Sequence, residues 1–171
     1  MRVPDINDKK LLQLLKLLGN LTAVKVPVNL GDERFLIGRC WYNVWAASQE
    51  GRGDIVHGWS LWSIEKGILG QHHSVLRDKS GTLLDVTPNK IGSQYILFAE
   101  SEKHGFDYEN LKSWLNVKCE DKDAKTFIQL NREGKPVRND ILDVVRTRMR
   151  FSDDDECQQI RQLVPFAGKG N

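Results

Sequence analysis

The chain predicts an α+β domain, an antiparallel sheet with a buried helix packed against it. Three observations carry that prediction. From about residue 55 to residue 100, four short apolar runs, IVHGWSLWSI, HHSVLR, TLLDVT and YILFAE, are divided by glycine-containing turns, the pattern of neighbouring strands. Upstream, CWYNVWAAS sets Trp41, Val44 and Trp45 at i, i+3 and i+4, with small Ser48 at i+7, the spacing of a buried helix. Strands grouped together, with helices before and after, argue against the regular alternation of a parallel α/β sheet.

In chain order, DKKLLQLLKLL at 8–18 holds leucines at 11, 12, 14, 15, 17 and 18, a wide apolar stripe at helical period that Gly19-Asn20 ends. This helix is expected to pack on the body of the domain. LTAVKVPV at 21–28 reads as a strand near a sheet edge, because Pro27 has no N–H to give to a ladder. The buried helix is expected to begin close to Cys40 and to end at Gly51-Arg52-Gly53-Asp54. After the four strands the chain reads as helical. DYENLKSWLNV carries Leu111, Trp114 and Leu115, NDILDVVRTRMRF has Asn139 or Asp140 as cap, and SDDDECQQIRQLV opens on Ser152 with acidic residues at the positive end of the helix dipole. At 171 residues the chain suits a single domain, with a core over 21–100 and a mainly helical extension over 101–171.

Composition narrows the function classes. A formal net charge of +2 is too small to argue for nucleic acid or a membrane surface. No apolar run approaches the roughly 18 residues of a membrane span. The opening MRVPDINDKK lacks the charged-then-apolar order of a secretion signal. Cys40, Cys119 and Cys157 are widely spaced and form no CxxC pair, so neither a disulfide framework nor a zinc knuckle is indicated. The expectation is a cytoplasmic protein with free thiols and no cofactor.

The chemistry concentrates in HHSVLRDKSGTLLDVTP, residues 72–88. Lys79-Ser80 poorly suits a two-residue type I′ turn, whereas Asp78-Lys79-Ser80-Gly81 suits a type I turn followed by a left-handed glycine, a three-residue loop with a bulge. That turn sets Asp78 opposite Thr82, Val75 opposite Asp85 and His73 opposite Thr87. His73 and Asp85 then share a face as diagonal neighbours, roughly 7–8 Å apart at the backbone and within side-chain reach. His72 points to the other face, and a two-residue turn would exchange the two histidines. An aspartate beside a histidine fixes its tautomer and supports the imidazolium. Cys40 stands upstream at a helix start, where the dipole favours a thiolate, and a neighbouring imidazolium favours it further. Gly38 lets the backbone approach a substrate, and N–H groups at the helix start can receive an oxyanion.

These residues resemble the transglutaminase-like and papain-like cysteine enzymes. The order is Cys at the start of a buried helix, His on one strand, Asp on the next. GRCW at 38–41 is similar to the G-x-C-W around papain-type nucleophiles, and DVT at 85–87 resembles the D-x-T after the aspartate of many transglutaminase-like domains. The stretch from Cys40 to Phe98, with GW at 58–59, HHSV at 72–75, DVTP at 85–88 and ILF at 96–98, resembles small uncharacterised bacterial proteins of that kind. The resemblance covers about a third of the chain. It implies Cys40 as nucleophile, His73 as base and Asp85 as the group that orients it. Three features depart from the pattern: the helix carries no CGSC-type run, Arg34 stands where papain-type enzymes place an oxyanion glutamine, and His73-Ser74-Val75 lacks the tryptophan of the transglutaminase HAW.

Simpler readings stand beside this one. Cys40 alone would be a small core residue. A metal site from Cys40, His72 and His73 is disfavoured because adjacent strand histidines point opposite ways. Trp59 and Trp62, three apart, face opposite sides; one is a core residue, and for the other core packing is favoured over lining a cleft. Asn43, one turn after Cys40, reads as a helix-surface amide. Arg34, Arg146, Arg148 and Arg150 have no assigned role in catalysis, nor do Cys119 and Cys157. Two functions follow. One is a thiol-dependent hydrolase or acyltransferase acting on an amide-type bond of a protein or peptide. The other is a non-catalytic module of the same fold that binds a protein or an anionic partner. They differ at Cys40, reactive in the first and buried and inert in the second.

Overall fold

The computed structural model describes residues 1–29, 32–65 and 67–108, and the backbone of two further strands, Asn116–Glu120 and Val144–Val145. The architecture is α+β. Helix α1 (Lys9–Leu17) starts where the Asp8 side chain accepts the Lys10 N–H, and it ends as Gly19 and Asn20 take positive φ. Leu11, Leu14 and Leu15 are its buried stripe, while Leu12 stays exposed. Then follow β1 (Ala23–Pro27), α2 (Cys40–Gln49), β2 (Asp54–Ile64), β3 (Gly67–Arg77), β4 (Leu83–Leu84), β5 (Tyr95–Glu100), β6 (Asn116–Glu120) and β7 (Val144–Val145).

The strands pair antiparallel in the order β1-β5-β2-β3-β6-β7, with β4 on β3. The sheet curls until it is nearly a barrel. Past β4 the chain crosses to the end of β1, where Asp85 forms a parallel bridge with Val28: the Asp85 N–H donates to Pro27 O at 2.9 Å and the Asn29 N–H to Asp85 O at 2.8 Å. Pro27 therefore lies near an edge that Asp85 partly closes. One face of the sheet sets Trp59, Leu61, Ile68, Leu97 and Ala99 against the leucines of α1. The other gathers Val26, Val56, Val75, Ile96 and Phe98. Gly58, opposite His73 in the register, is required by that packing. A Cβ there would strike the Ala99 carbonyl oxygen and come within 2.8 Å of the Phe98 ring.

The hairpin register follows the turn chemistry. Gly81 has φ +87°, its N–H donates to Asp78 O at 2.9 Å, and Asp78 N–H donates to Thr82 O at 2.9 Å. Asp78 Oδ1 accepts the backbone N–H groups of Ser80 and Thr82. Leu76 pairs with Leu84 and Arg77 with Leu83, the expected register. The pairing stops there, because Asp85 leaves the hairpin for β1, so the expected opposition of Val75 to Asp85 and of His73 to Thr87 is not a ladder.

The helical extension expected over 101–171 lies largely outside the described residues, as does the SDDDECQQIRQLV helix. Its described pieces are not helical: residues 101–108 are turns and irregular backbone, β6 pairs with β3 from Gly67–Glu120 to Gly70–Val117, and Val144–Val145 pairs with β6. The helical period through Leu111, Trp114 and Leu115 hid the short strand after them. Among the described residues, no helix is long and apolar enough to cross a membrane.

Candidate active site

Strand β3 is flanked by β6 at Gly67–Gly70 and by β4 at Leu76–Arg77. Between these, Gln71–Val75 have β2 on one side and, among the described residues, no strand on the other. The first turn of α2 lies against this opening. Trp41 meets His72, and Cys40 meets His73. The two histidines project to opposite faces, as strand geometry requires.

Helix α2 is buried on most of its circumference: Cys40, Trp41, Tyr42, Asn43, Val44 and Ala47 are all in the interior. It begins immediately after Gly38, whose φ of +77° turns the chain into the helix. Arg39 occupies the N-cap and makes no capping bond with its side chain. The N–H groups of Tyr42 and Asn43 close on Arg39 O, and among the described residues those of Cys40 and Trp41 meet no acceptor. Two donors and the positive end of the helix dipole thus converge beside the Cys40 thiol.

His73 Nε2 donates to Asp85 Oδ2 at 2.9 Å. That leaves the ring's Nδ1 for the neighbouring Cys40 thiol, which acts on the ring's pKa alongside Asp85. The His73 side chain is 14% exposed and Asp85 only 1%. Burial alone would push the His73 pKa down, but the neighbouring Asp85 carboxylate and Cys40 thiol, with the hydrogen bond to Asp85, override it and hold the pKa well above the ordinary histidine value. Asp85 is itself fixed. Its backbone is clamped to the end of β1, and Oδ1 accepts the Thr87 N–H at 2.9 Å. Thr87 Oγ1 accepts from Asn43 Nδ2 at 3.1 Å, and the same amide nitrogen donates to Leu36 O at 2.9 Å. The threonine of DVT therefore ties the aspartate to the helix that carries the cysteine. Asn43 is a buried strut and not the surface amide that its helical position suggested.

His72 sits in a different environment. Its Nδ1 accepts the Trp41 indole N–H at 3.2 Å and its Nε2–H donates to His104 O at 2.6 Å, which fixes the neutral tautomer. Burial, against which the His104 carbonyl works only partly, lowers its pKa to about 4, and the charges of His57, His73 and His104 push the same way. Phe106 stacks on Trp41 with ring centres 4.7 Å apart, and the Tyr108 hydroxyl donates to Trp41 O at 2.9 Å. The segment from His104 to Tyr108 thus holds Trp41 in place. Sequence reasoning assigned it nothing, although its alternating His104, Phe106 and Tyr108 were a visible signal.

Cys40, His73 and Asp85 open on a cavity of about 480 Å³. Its walls include Gly38, Trp62 and Gln71, with Ile37 and Ile91 exposed at the mouth. Trp59 faces the α1 side and Trp62 the cavity, opposite sides as expected. Arg34 lies away from the cavity. It is 64% exposed and bonds Asp32 and Glu50, both at 2.7 Å, tying the loop before α2 to the helix's far end. Among the described residues no group of three His, Cys, Asp or Glu side chains could hold a metal ion. Cys119 is described only as backbone in β6, and Cys157, Arg146, Arg148 and Arg150 lie outside the described residues.

No protein-family model, curated protein or solved structure matches this chain.

Proposed function

We propose that the chain is a thiol-dependent enzyme of the transglutaminase-like or papain-like kind, acting on an amide-type bond of a protein or peptide. One observation carries the reading: the His73 ring is held between a buried, doubly anchored Asp85 and the Cys40 thiol, at the wall of a cavity large enough for a substrate segment.

In the reaction, His73 takes the Cys40 proton, and the sulfur adds to the substrate carbonyl carbon as the C=O π pair moves to oxygen. The oxyanion accepts hydrogen bonds from the open first turn of α2. The intermediate collapses, the C–N bond breaks, and the leaving amine takes its proton from His73, leaving a thioester on Cys40. Water activated by His73 then adds to the thioester, releasing the acid and restoring the thiol. An amine in place of water gives transfer. Asp85 keeps the ring aimed and stabilises the imidazolium throughout. The raised pKa of His73 suits it to carry that charge.

The test is site-resolved labelling of Cys40 with iodoacetamide from about pH 4 to about pH 9, read by mass spectrometry, in the unsubstituted chain and in His73→Ala. The proposal expects Cys40 to label near pH 6 much faster than Cys119 and Cys157, and to lose that advantage in the variant. An unreactive Cys40 would leave the fold as a binding module. Turnover of peptide amides, with and without an added amine, then separates hydrolysis from transfer.

A further inference from the structure

Among the described residues two polar side chains of the cavity, Gln71 and Lys90, have hydrogen-bonding groups that are uncommitted; Lys90 is exposed on the loop after Pro88, whereas Gln71 is half-buried on the strand that carries His73. Gln71 is on the same face of β3 as His73, two residues before it, which places the two about 7 Å apart along the strand. It stands in the stretch that α2 approaches, opposite Ser60 of β2. The other buried or half-buried polar groups of this wall are occupied. Trp62 Nε1 donates to Ser60 Oγ at 3.1 Å, and Ser60 Oγ turns to the Gln71 backbone carbonyl at 3.5 Å. Thr87 Oγ1 accepts from Asn43, and Asn89 is bound to Ile91 and Ser93 on its own loop. Among the described residues the Gln71 side-chain amide makes no hydrogen bond. Gln71 is half-buried, but its amide atoms are not among the buried polar atoms left without a partner, so they reach the solvent of the cavity and are available to a ligand there.

Resting on the enzymatic reading of Cys40, we infer that Gln71 supplies the side-chain donor to the oxyanion, alongside the backbone N–H groups at the start of α2. When sulfur adds to the carbonyl carbon, charge builds on an oxygen that must point away from the imidazole. The amide of Gln71 can follow that oxygen without disturbing the ring, because nothing else holds it. The role also answers a gap in the loop before α2: Arg34, the position where a papain-type chain would carry an oxyanion glutamine, is bound to Asp32 and Glu50 on the surface. Here the glutamine comes from the histidine strand.

Two reagents separate this role from a merely structural one. Iodoacetamide is attacked at its methylene carbon, with iodide leaving, and develops no oxyanion. p-Nitrophenyl acetate is attacked at its carbonyl, forms an oxyanion, and releases p-nitrophenolate as Cys40 is acetylated. Gln71→Leu and the similarly sized, uncharged Gln71→Met are expected to slow acetylation of Cys40 by about 100-fold or more while leaving its alkylation within about twofold. Equal losses with both reagents, or no loss with either, would overturn the assignment. If Cys40 of the unsubstituted chain reacts with neither reagent, the enzymatic reading itself fails and Gln71 falls with it. Reaction of Cys40 with both reagents in that chain keeps the two failures apart.

Discussion

His72 and His73 are neighbours in sequence, on one strand, beside one helix, and they have opposite chemistry. His72 faces a closed aromatic compartment in which an indole N–H and a backbone carbonyl fix a neutral ring. His73 faces a cavity and is placed between a carboxylate and a thiol that favour a charged ring. The burial penalty acts on both. The counter-charge on one side decides the sign, lowering one pKa to about 4 and raising the other. The pleat of a single strand is enough to give two adjacent histidines opposite charge preferences.

The strongest way to break the comparison is to remove each ring in turn. His73→Ala is expected to lower Cys40 alkylation near pH 6 by about 100-fold or more, the usual scale for losing a positioned acid–base group. His72→Phe keeps an aromatic ring in the compartment but leaves the Trp41 N–H and the His104 carbonyl without their partner. It is expected to cost about 1–3 kcal/mol for each group left unpaired, while Cys40 keeps most of its reactivity. Denaturant melts and labelling rates on the same samples check both. Loss of reactivity in the two variants alike would mean that the strand, and not the His73 side of it, governs the thiol.

Asp85→Ala acts on the His73 side alone. It removes the counter-charge of a buried ring, a change worth about 3–5 kcal/mol while that ring stays charged. The ring has the alternative of giving up its proton, so the cost should appear largely as a fall in the His73 pKa. NMR titration of the ring would measure that fall, together with lost labelling near pH 6. Asp85→Asn, which retains an oxygen for the Thr87 N–H, should be less destabilising than Asp85→Ala and no more reactive.

The pH dependence of stability should carry both signatures. His72 titrates near 6.5 in the unfolded chain and near 4 in the fold. The unfolded state therefore binds the proton first. This contribution is complete above about pH 6.5 and is lost as pH falls towards about 4, an effect on the order of 3 kcal/mol. His73 runs the other way: its folded pKa is raised, so its contribution is present below about pH 6.5 and lost as pH rises through the folded value. Urea melts across pH should show the acid loss shrink in His72→Phe and the alkaline loss shrink in His73→Phe. An unchanged acid limb in His72→Phe would put the sensitivity elsewhere, with His57 and His104 next, since burial depresses both.

Much of this contrast was legible in the residues before any coordinates. The turn at Asp78–Gly81 set the hairpin register through Leu84, and extending its parity to the next residues pointed Asp85 to His73 and not His72, the contact that the structure contains although Asp85 itself has left the ladder. Cys40 was placed at a helix start by the spacing of Trp41, Val44 and Trp45. What sequence could not supply were contacts between distant segments. Asp85 leaves the hairpin to close the sheet against Val28, and nothing local to DVT announces it. Asn43 lies on a helix whose neighbours are apolar all round, so its burial followed from packing and not from period. The compartment of His72 needs Trp41, His104 and Phe106 together, residues as far apart as 41 and 106 in the chain. The strands β6 and β7 are hidden in the sequence because five residues and two residues beside a helical pattern are too few to register their own period.

The smallest change worth making is Thr87→Val. It preserves the side-chain shape and deletes only the hydroxyl oxygen that accepts from Asn43, leaving the Thr87 N–H on Asp85 and the second Asn43 bond to Leu36 in place. The expected cost is about 1 kcal/mol of stability, that of one buried hydrogen bond. The more telling readout is the pH profile of Cys40 labelling. If the Asn43–Thr87 link holds the aspartate at the correct distance from the helix, the profile shifts in Thr87→Val and returns in Thr87→Ser, which restores the oxygen without the methyl group. If Val and Ser behave alike, the link is only packing, and the β1 clamp on the Asp85 backbone positions the carboxylate alone. The His72 compartment shares no bond with Thr87, so the acid limb of the stability curve should be the same in both variants. A change there would show that the two faces of the strand are coupled through α2 and are not independent sites.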